Sequence, residues 1–316
     1  MSQQDIIPVY LVTGFLESGK TTLIRSMLED KNFTRGQRTL IIACEEGVEE
    51  LEGDLLDDSC CTYASLESVD ELTPATLRKL NEEYKPERVI MEYNSVWTIE
   101  KLGQTPIPAK WRVVQCITMV DATTFDNYLN NMRKIITDPM KEADLVMFNR
   151  CKEEHPKSAW RRMIRALNPN CDILFENSDG STEDGIADED LPYDMKADII
   201  DITDEDLGIF YIDSLDHPQR YDGKTVRFVG QAFKEKGLPN GYYYFGRLAM
   251  TCCANDIAQI GWVTKGDVKP GSRRFVKLTA RCSIVETPEQ PMLMFTELHT
   301  EQAAAPKEKY ITFGNA

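Results

Sequence analysis

Nowhere in its 316 residues does this chain run apolar for the roughly 20 residues that a membrane-spanning helix requires. Its opening, Met1-Ser-Gln-Gln-Asp5, lacks the basic and apolar regions of a secretory leader, and Ile6 to Val12 reads better as a first strand. A cytoplasmic protein with no direct membrane insertion is therefore expected. Positive charge is also scarce: 36 Lys and Arg stand against 52 Asp and Glu, a formal net charge of −16. Phosphate backbones and anionic lipids are held by clustered Lys and Arg, so no nucleic-acid partner is expected. A nucleotide and metal cations remain natural ligands. Internal repeats and extended low-complexity tracts are absent as well.

Nine cysteines is an odd number, and a reducing compartment argues against a disulfide framework. Cys116 and Cys282 fall in β-like runs and read as small core hydrophobes. Two adjacent pairs differ, Cys60-Cys61 and Cys252-Cys253. On an extended strand such neighbours point to opposite faces, whereas in a turn both thiolates can meet one soft cation.

The most informative run is Gly14-Phe-Leu-Glu17-Ser18-Gly19-Lys20-Thr21-Thr22, which fits the GxxxxGK[ST] phosphate-binding pattern and follows the apolar strand. Backbone N–H groups of such a loop wrap phosphates, and the helix that leaves it adds positive potential at its N-terminus. Thr21 to Leu28 supplies that helix. Lys20 is expected to reach the β- and γ-phosphates and the Thr21 hydroxyl to hold Mg²⁺.

Strand-like runs at Val9 to Thr13, Thr39 to Cys44, Arg88 to Glu92, Val113 to Asp121, Leu145 to Asn149 and Asp172 to Phe175 alternate with helical patterns. That alternation predicts an α/β domain over residues 1–175, a doubly wound and mostly parallel sheet with ligand loops at the strand C-terminal ends. Residues 176–220 are dominated by acid: fifteen acidic residues between Glu176 and Asp216 face the single Lys196, and the stretch reads as a linker with short ordered pieces. From 221 to 316, five β-like runs separated by Gly and Pro turns predict a small all-β barrel of the OB type.

Two acids end apolar strands beside the loop, Glu92 and Asp121, and compete to orient Mg²⁺ or its water; Glu92 is preferred because it runs into the polar Tyr93-Asn-Ser95. Asn149-Arg150 ends another strand with a short amide, as a base-recognition loop does. Tyr242, Tyr243, Tyr244 and Trp262 could stack bases on a barrel surface, but Lys and Arg are too sparse nearby to favour single strands.

Together these residues resemble the CobW-like metallochaperone GTPases. That family carries a GFLGAGKTT loop, an NEFG segment, a CxCC motif, an ExxG motif and an NKxD base-reading motif. Here Gly14 to Thr22 matches the loop, with Glu17 and Ser18 replacing a small pair. Cys44-Glu45-Glu46-Gly47 matches NEFG with Cys for Asn, and Asp58-Ser59-Cys60-Cys61 matches CxCC with its first cysteine replaced. Glu92 to Ser95 matches ExxG without its glycine, and Asn149-Arg150-Cys151-Lys152 matches NKxD without its aspartate. The lost aspartate removes the acceptor for the guanine edge; Glu153, one residue along, could replace it, and Arg150 can still lie over the base. Ser95 restricts a switch that glycine frees, so slow hydrolysis is expected.

The resemblance implies GTP, Mg²⁺ and Zn²⁺ or another transition metal as ligands, with Lys20, Thr21 and Glu92 as catalytic residues. Cys44, Glu45, Cys60 and Cys61 stand as metal ligands. Tyr221 to Thr300 is similar to the C-terminal region of an uncharacterised family of permease subunits, where Cys252, Cys253 and Asp256 form a second candidate soft-metal site. A client metalloprotein or a membrane permease would receive the metal, and a homodimer is compatible with the chain. A non-catalytic nucleotide sensor and an ATP-dependent P-loop enzyme are the competing readings, the latter without the arginine-rich lid it would need.

Overall fold

The computed structural model describes residues 6–44, 51, 53–94, 96–183, 191–234, 236–250, 257–269, 274–287 and 291–313. The chain divides into two compact units, one of residues up to 157 together with 170–186, the other of 158–169 together with 187–316.

The first unit is an eight-stranded sheet. Its strands are β1 (Ile7–Gly14), β2 (Thr39–Ala43), β3 (Cys61–Ser65), β4 (Arg88–Glu92), β5 (Trp111–Asp121), β6 (Leu145–Cys151), β7 (Asp172–Asn177) and β8 (Thr182–Glu183). They lie in the order β3-β2-β4-β1-β5-β6-β7-β8, all parallel except β8, which is antiparallel to β7. The helices are α1 (Lys20–Glu29), α2 (Lys31–Thr34), α3 (Gly53–Asp58), α4 (Pro74–Tyr84), α5 (Ile99–Gln104) and α6 (Phe125–Lys141); α7 (Lys157–Leu167) clusters with the second unit from residue 158 onward. Parallel strands joined by helices are covered on both faces, so successive residues enter different cores. Leu11, Leu40, Ile42, Val89 and Met91 pack one face, while Val12, Ile41, Ile90 and Ile117 pack the other with Ile24 and Leu28 of α1. The expected doubly wound α/β domain is thus present.

The second unit is all-β apart from its helices. After β9 (Ile200–Asp201) and α8 (Leu207–Asp216) come β10 (Thr225–Phe233), β11 (Tyr242–Met250), β12 (Ile257–Lys265), β13 (Val276–Val285) and β14 (Met292–Gln302). The order β11-β12-β14-β13-β10, closed by a β10–β11 pairing, makes a five-stranded barrel with β12 and β14 parallel. This is the small OB-like barrel expected from the turns. Val226, Phe228, Tyr243, Phe245, Trp262, Leu278 and Phe295 fill it, so Tyr243 and Trp262 are core and not a base-stacking surface, while Tyr244 is half-buried. The acidic stretch is more than a linker. Its helix α8 sends Leu207, Phe210 and Ile212 into the barrel core, with the Phe210 and Trp262 rings tilted against each other at 4.8 Å.

Candidate nucleotide site

The loop after β1 lies at the C-terminal edge of the parallel sheet, where β4, β5 and β6 also end. Two glycines are required there. Gly14 has φ +139, and a Cβ on it would meet the Met119 carbonyl oxygen at 2.4 Å; Gly19 has φ +90, and a Cβ would lie 2.3 Å from Asn149 Nδ2. The same space admits the chain close to a phosphate. Helix α1 starts at Lys20 with no acidic residue in its first turn, which leaves its N-terminal potential positive.

Lys20 is buried and folds back over the loop, its Nζ donating to the Gly14 carbonyl at 2.9 Å and the Phe15 carbonyl at 3.0 Å. The Thr21 hydroxyl donates to Glu92 Oε1 at 2.7 Å. A hydroxyl and a buried carboxylate therefore meet beside the loop, the donor set that suits Mg²⁺ and its water shell. Asp121 does not share that position. Its Oδ1 accepts from the Thr123 amide at 2.8 Å and hydroxyl at 2.6 Å, and its Oδ2 is paired with Arg150. Burial works to raise the Asp121 pKa, but the Thr123 and Arg150 hydrogen bonds outweigh it and hold the carboxyl below its ordinary value.

Asn149 braces the loop from β6, donating through Nδ2 to the Ser18 carbonyl at 2.8 Å. Arg150 NH1 donates to the Glu17 carbonyl at 3.1 Å, so its guanidinium is held against the loop and Asp121. Two buried polar atoms here have no protein partner, Ser18 Oγ and Asn149 Oδ1. Orphaned groups of this kind, next to two glycines and a buried lysine, fit a polar ligand. Glu153, the substitute acceptor, is exposed in the turn after β6.

The thiols do not converge. Cys44 is buried just beyond β2, its amide donating to the Glu92 carbonyl at 2.8 Å, and therefore lies at the phosphate edge of the sheet. Cys61 opens β3 opposite Thr39. Thr39 lies five residues before Cys44 on a parallel ladder, roughly 16 Å away along the strand. Cys44 and the Cys60-Cys61 pair thus sit at opposite ends of the sheet and cannot share one ion, which corrects the joint ligand set. Among the described residues, no three His, Cys, Asp or Glu groups gather as a metal site. Cys60 is exposed in a left-handed turn at φ +55, and burial pushes the half-buried Cys61 thiol upward. Glu45, Ser95, Cys252, Cys253 and Asp256 lie outside the described residues.

Sequence reasoning missed the supports beneath the loop. Thr13 and Thr118 share a 2.8 Å hydroxyl contact under Gly14, and Phe15 packs on Tyr128 of α6 with ring centroids 4.6 Å apart. Tyr93, pushed up to about 12 by burial, donates to the Thr98 carbonyl at 2.9 Å and anchors the turn after Glu92. Thr13, Thr118 and Tyr128 belong to no motif, and Phe15 and Tyr93 fall at motif positions whose packing role the motifs do not state.

Comparison with known proteins now bears on this geometry. Residues 8–175 match the CobW/HypB/UreG nucleotide-binding domain, and residues 179–312 match the DUF1980 C-terminal domain. The zinc-regulated GTPase metalloprotein activator 1 of Schizosaccharomyces pombe is 25% identical over 172 residues, covering 47% of this chain and 40% of that protein. The zinc chaperone CobW of a Sinorhizobium species is 32% identical over 109 residues, 29% of this chain and 28% of its own. The chain thus spans less than half the length of either relative. The Zn(II)-bound YjiA GTPase from E. coli aligns at 19% identity over 85% of this chain and 91% of its own, with a TM-score of 0.36, too loose a superposition to carry an argument.

Proposed function

This chain belongs to the CobW/HypB/UreG nucleotide-binding family, and from that premise we propose that it binds GTP and hydrolyses it slowly to govern the binding and delivery of a transition metal, zinc above others. The observation that carries the reading is the buried Lys20 over a two-glycine loop, with Thr21 hydrogen-bonded to Glu92 at 2.7 Å beside it. Gly14, Glu17, Ser18, Gly19, Lys20, Thr21 and Thr22 would surround the phosphates, and Thr21 with Glu92 would hold Mg²⁺, which supplies charge neutralisation at the phosphates. Asn149 and Arg150 would face the base.

Support for the metal comes from the family and from two relatives named for zinc. Cys60 and Cys61 are the thiols proposed to meet the cargo. Two ligands are fewer than the four of a structural zinc site, and an incomplete set suits an ion that is passed to a client or a permease. Cys44, at the phosphate edge, would act separately from them.

The test is phosphate release with GTP and Mg²⁺, with Lys20→Ala as the control. Slow turnover that the substitution abolishes supports the reading. Binding without phosphate release would favour a nucleotide sensor, and turnover of ATP in preference to GTP would favour the ATP-dependent alternative.

A further inference from the structure

We propose that Asp121 is a positioning residue of the nucleotide site, fixing Arg150 and, through it, the base-facing side of the phosphate loop. The inference rests on the nucleotide-binding reading above and deepens it. Strands β5 and β6 are parallel neighbours with Asp121 opposite Asn149, so residues 121 and 150 leave adjacent strand ends. The Ala122 amide donates to the Asn149 carbonyl at 3.1 Å and ties the two loops at their start.

The carboxylate of Asp121 is divided between two tasks. Oδ1 accepts both hydrogen bonds from Thr123, which leaves Oδ2 directed at Arg150. Arg150 has φ +55, a left-handed value that is unfavourable for a non-glycine residue and persists where its surroundings over-determine it. Those surroundings are Asp121 on one side and the Glu17 carbonyl on the other.

Consecutive residues near the end of β6 therefore hold consecutive residues of the loop: Asn149 holds Ser18 and Arg150 holds Glu17. The first brace is buried and needs no help. The second is a guanidinium that is 50% exposed, and without the Asp121 carboxylate, which is 14% exposed, it is free to turn to solvent. The phosphate grip is separate. Lys20 Nζ is anchored on the Gly14 and Phe15 carbonyls and α1 starts at Lys20, whereas the Arg150 brace is on the Glu17 carbonyl. Asp121 therefore serves the nucleoside half of the ligand more than the phosphate half, which it reaches only through the Glu17 carbonyl. Arg150 is half-exposed, so the effect is moderate, about three- to tenfold.

The test compares GTP with inorganic tripolyphosphate, both with Mg²⁺, by displacement of a fluorescent guanine nucleotide from the full chain. Asp121→Asn and Arg150→Ala should each weaken GTP about fivefold. The double variant should be no weaker than Arg150→Ala alone, Asp121→Glu should retain most of the affinity, and tripolyphosphate should lose less than GTP in every variant. Unchanged GTP affinity in Asp121→Asn, equal losses for both ligands, or additive losses in the double variant would overturn the assignment. If Asp121→Asn does not fold, Asp121→Ser decides: a loss for GTP larger than for tripolyphosphate supports the proposal, and equal loss or none overturns it. A wild-type chain that binds neither ligand fails at the nucleotide reading itself, which separates the two claims.

Discussion

Glu17 occupies a loop position with φ +60, where glycine is the easier residue, and it is exposed beside the space expected for phosphate. A carboxylate there opposes an anionic ligand, and the left-handed backbone costs about 1 kcal/mol. We expect Glu17→Gly to tighten GTP about three- to tenfold by calorimetry; an unchanged constant would mean that the side chain points away from the phosphates. At the neighbouring Lys20, replacement by Ala should weaken nucleotide about 100-fold or more. Asp121 makes a pH-dependent contribution. Its pKa is depressed in the folded chain, so its stabilisation is complete above the unfolded-state value and is lost as pH falls through the folded one. Denaturant titrations from about pH 5 to about pH 2 should therefore show wild type losing more stability than Asp121→Asn. Parallel curves would remove the ion pair from the account.

At the scale of elements, charge is worth what burial makes it. Asp216 of α8 accepts from Arg161 and Arg165 of α7, and its side chain is only 8% exposed against 14% and 11% for the arginines. Asp216→Asn should cost about 3 kcal/mol in unfolding of the second unit. Breaking the Arg38–Glu87 pair, 60% and 46% exposed, should cost under about 1 kcal/mol. Phe210, fully buried against Trp262, Tyr221 and Phe295, should cost about 3–5 kcal/mol when cut to Ala. The same helix shows where sequence reading ran out. Asp204-Glu-Asp206, Asp213 and Asp216 gave the stretch a solvated character, yet Leu207 to Ile212 reads Leu-Gly-Ile-Phe-Tyr-Ile, an apolar run whose partners are strands far along the chain. Strand β3 escaped for the opposite reason. It is an edge strand with exposed Thr62 and Tyr63, so it carries no apolar alternation. β1, its loop and α1 were legible because a motif and a periodicity agreed there, and the barrel strands because Gly and Pro turns bounded them. The thiol set was not legible: parallel register, which no local pattern encodes, sends Cys44 and Cys61 to opposite ends of the sheet.

Over the whole molecule, a strongly acidic chain joins a family nucleotide-binding domain to an OB-like barrel, and no helix among the described residues is long and apolar enough to cross a membrane. The sheet separates two kinds of chemistry. The candidate phosphate groups gather at its C-terminal edge, where Cys44 also lies buried in the core, and Cys60-Cys61 lies at the other. On the proposed reading, a metal at Cys60-Cys61 and a nucleotide at the opposite edge would communicate through the sheet, not through an ion shared with Cys44. The most direct measurement is competition of unlabelled GTP and ATP against a fluorescent guanine nucleotide on the purified chain with Mg²⁺, with and without stoichiometric Zn²⁺. The account predicts displacement by GTP in preference to ATP, with an affinity that changes when zinc is present. Equal displacement by both nucleotides, or no binding at all, would contradict it.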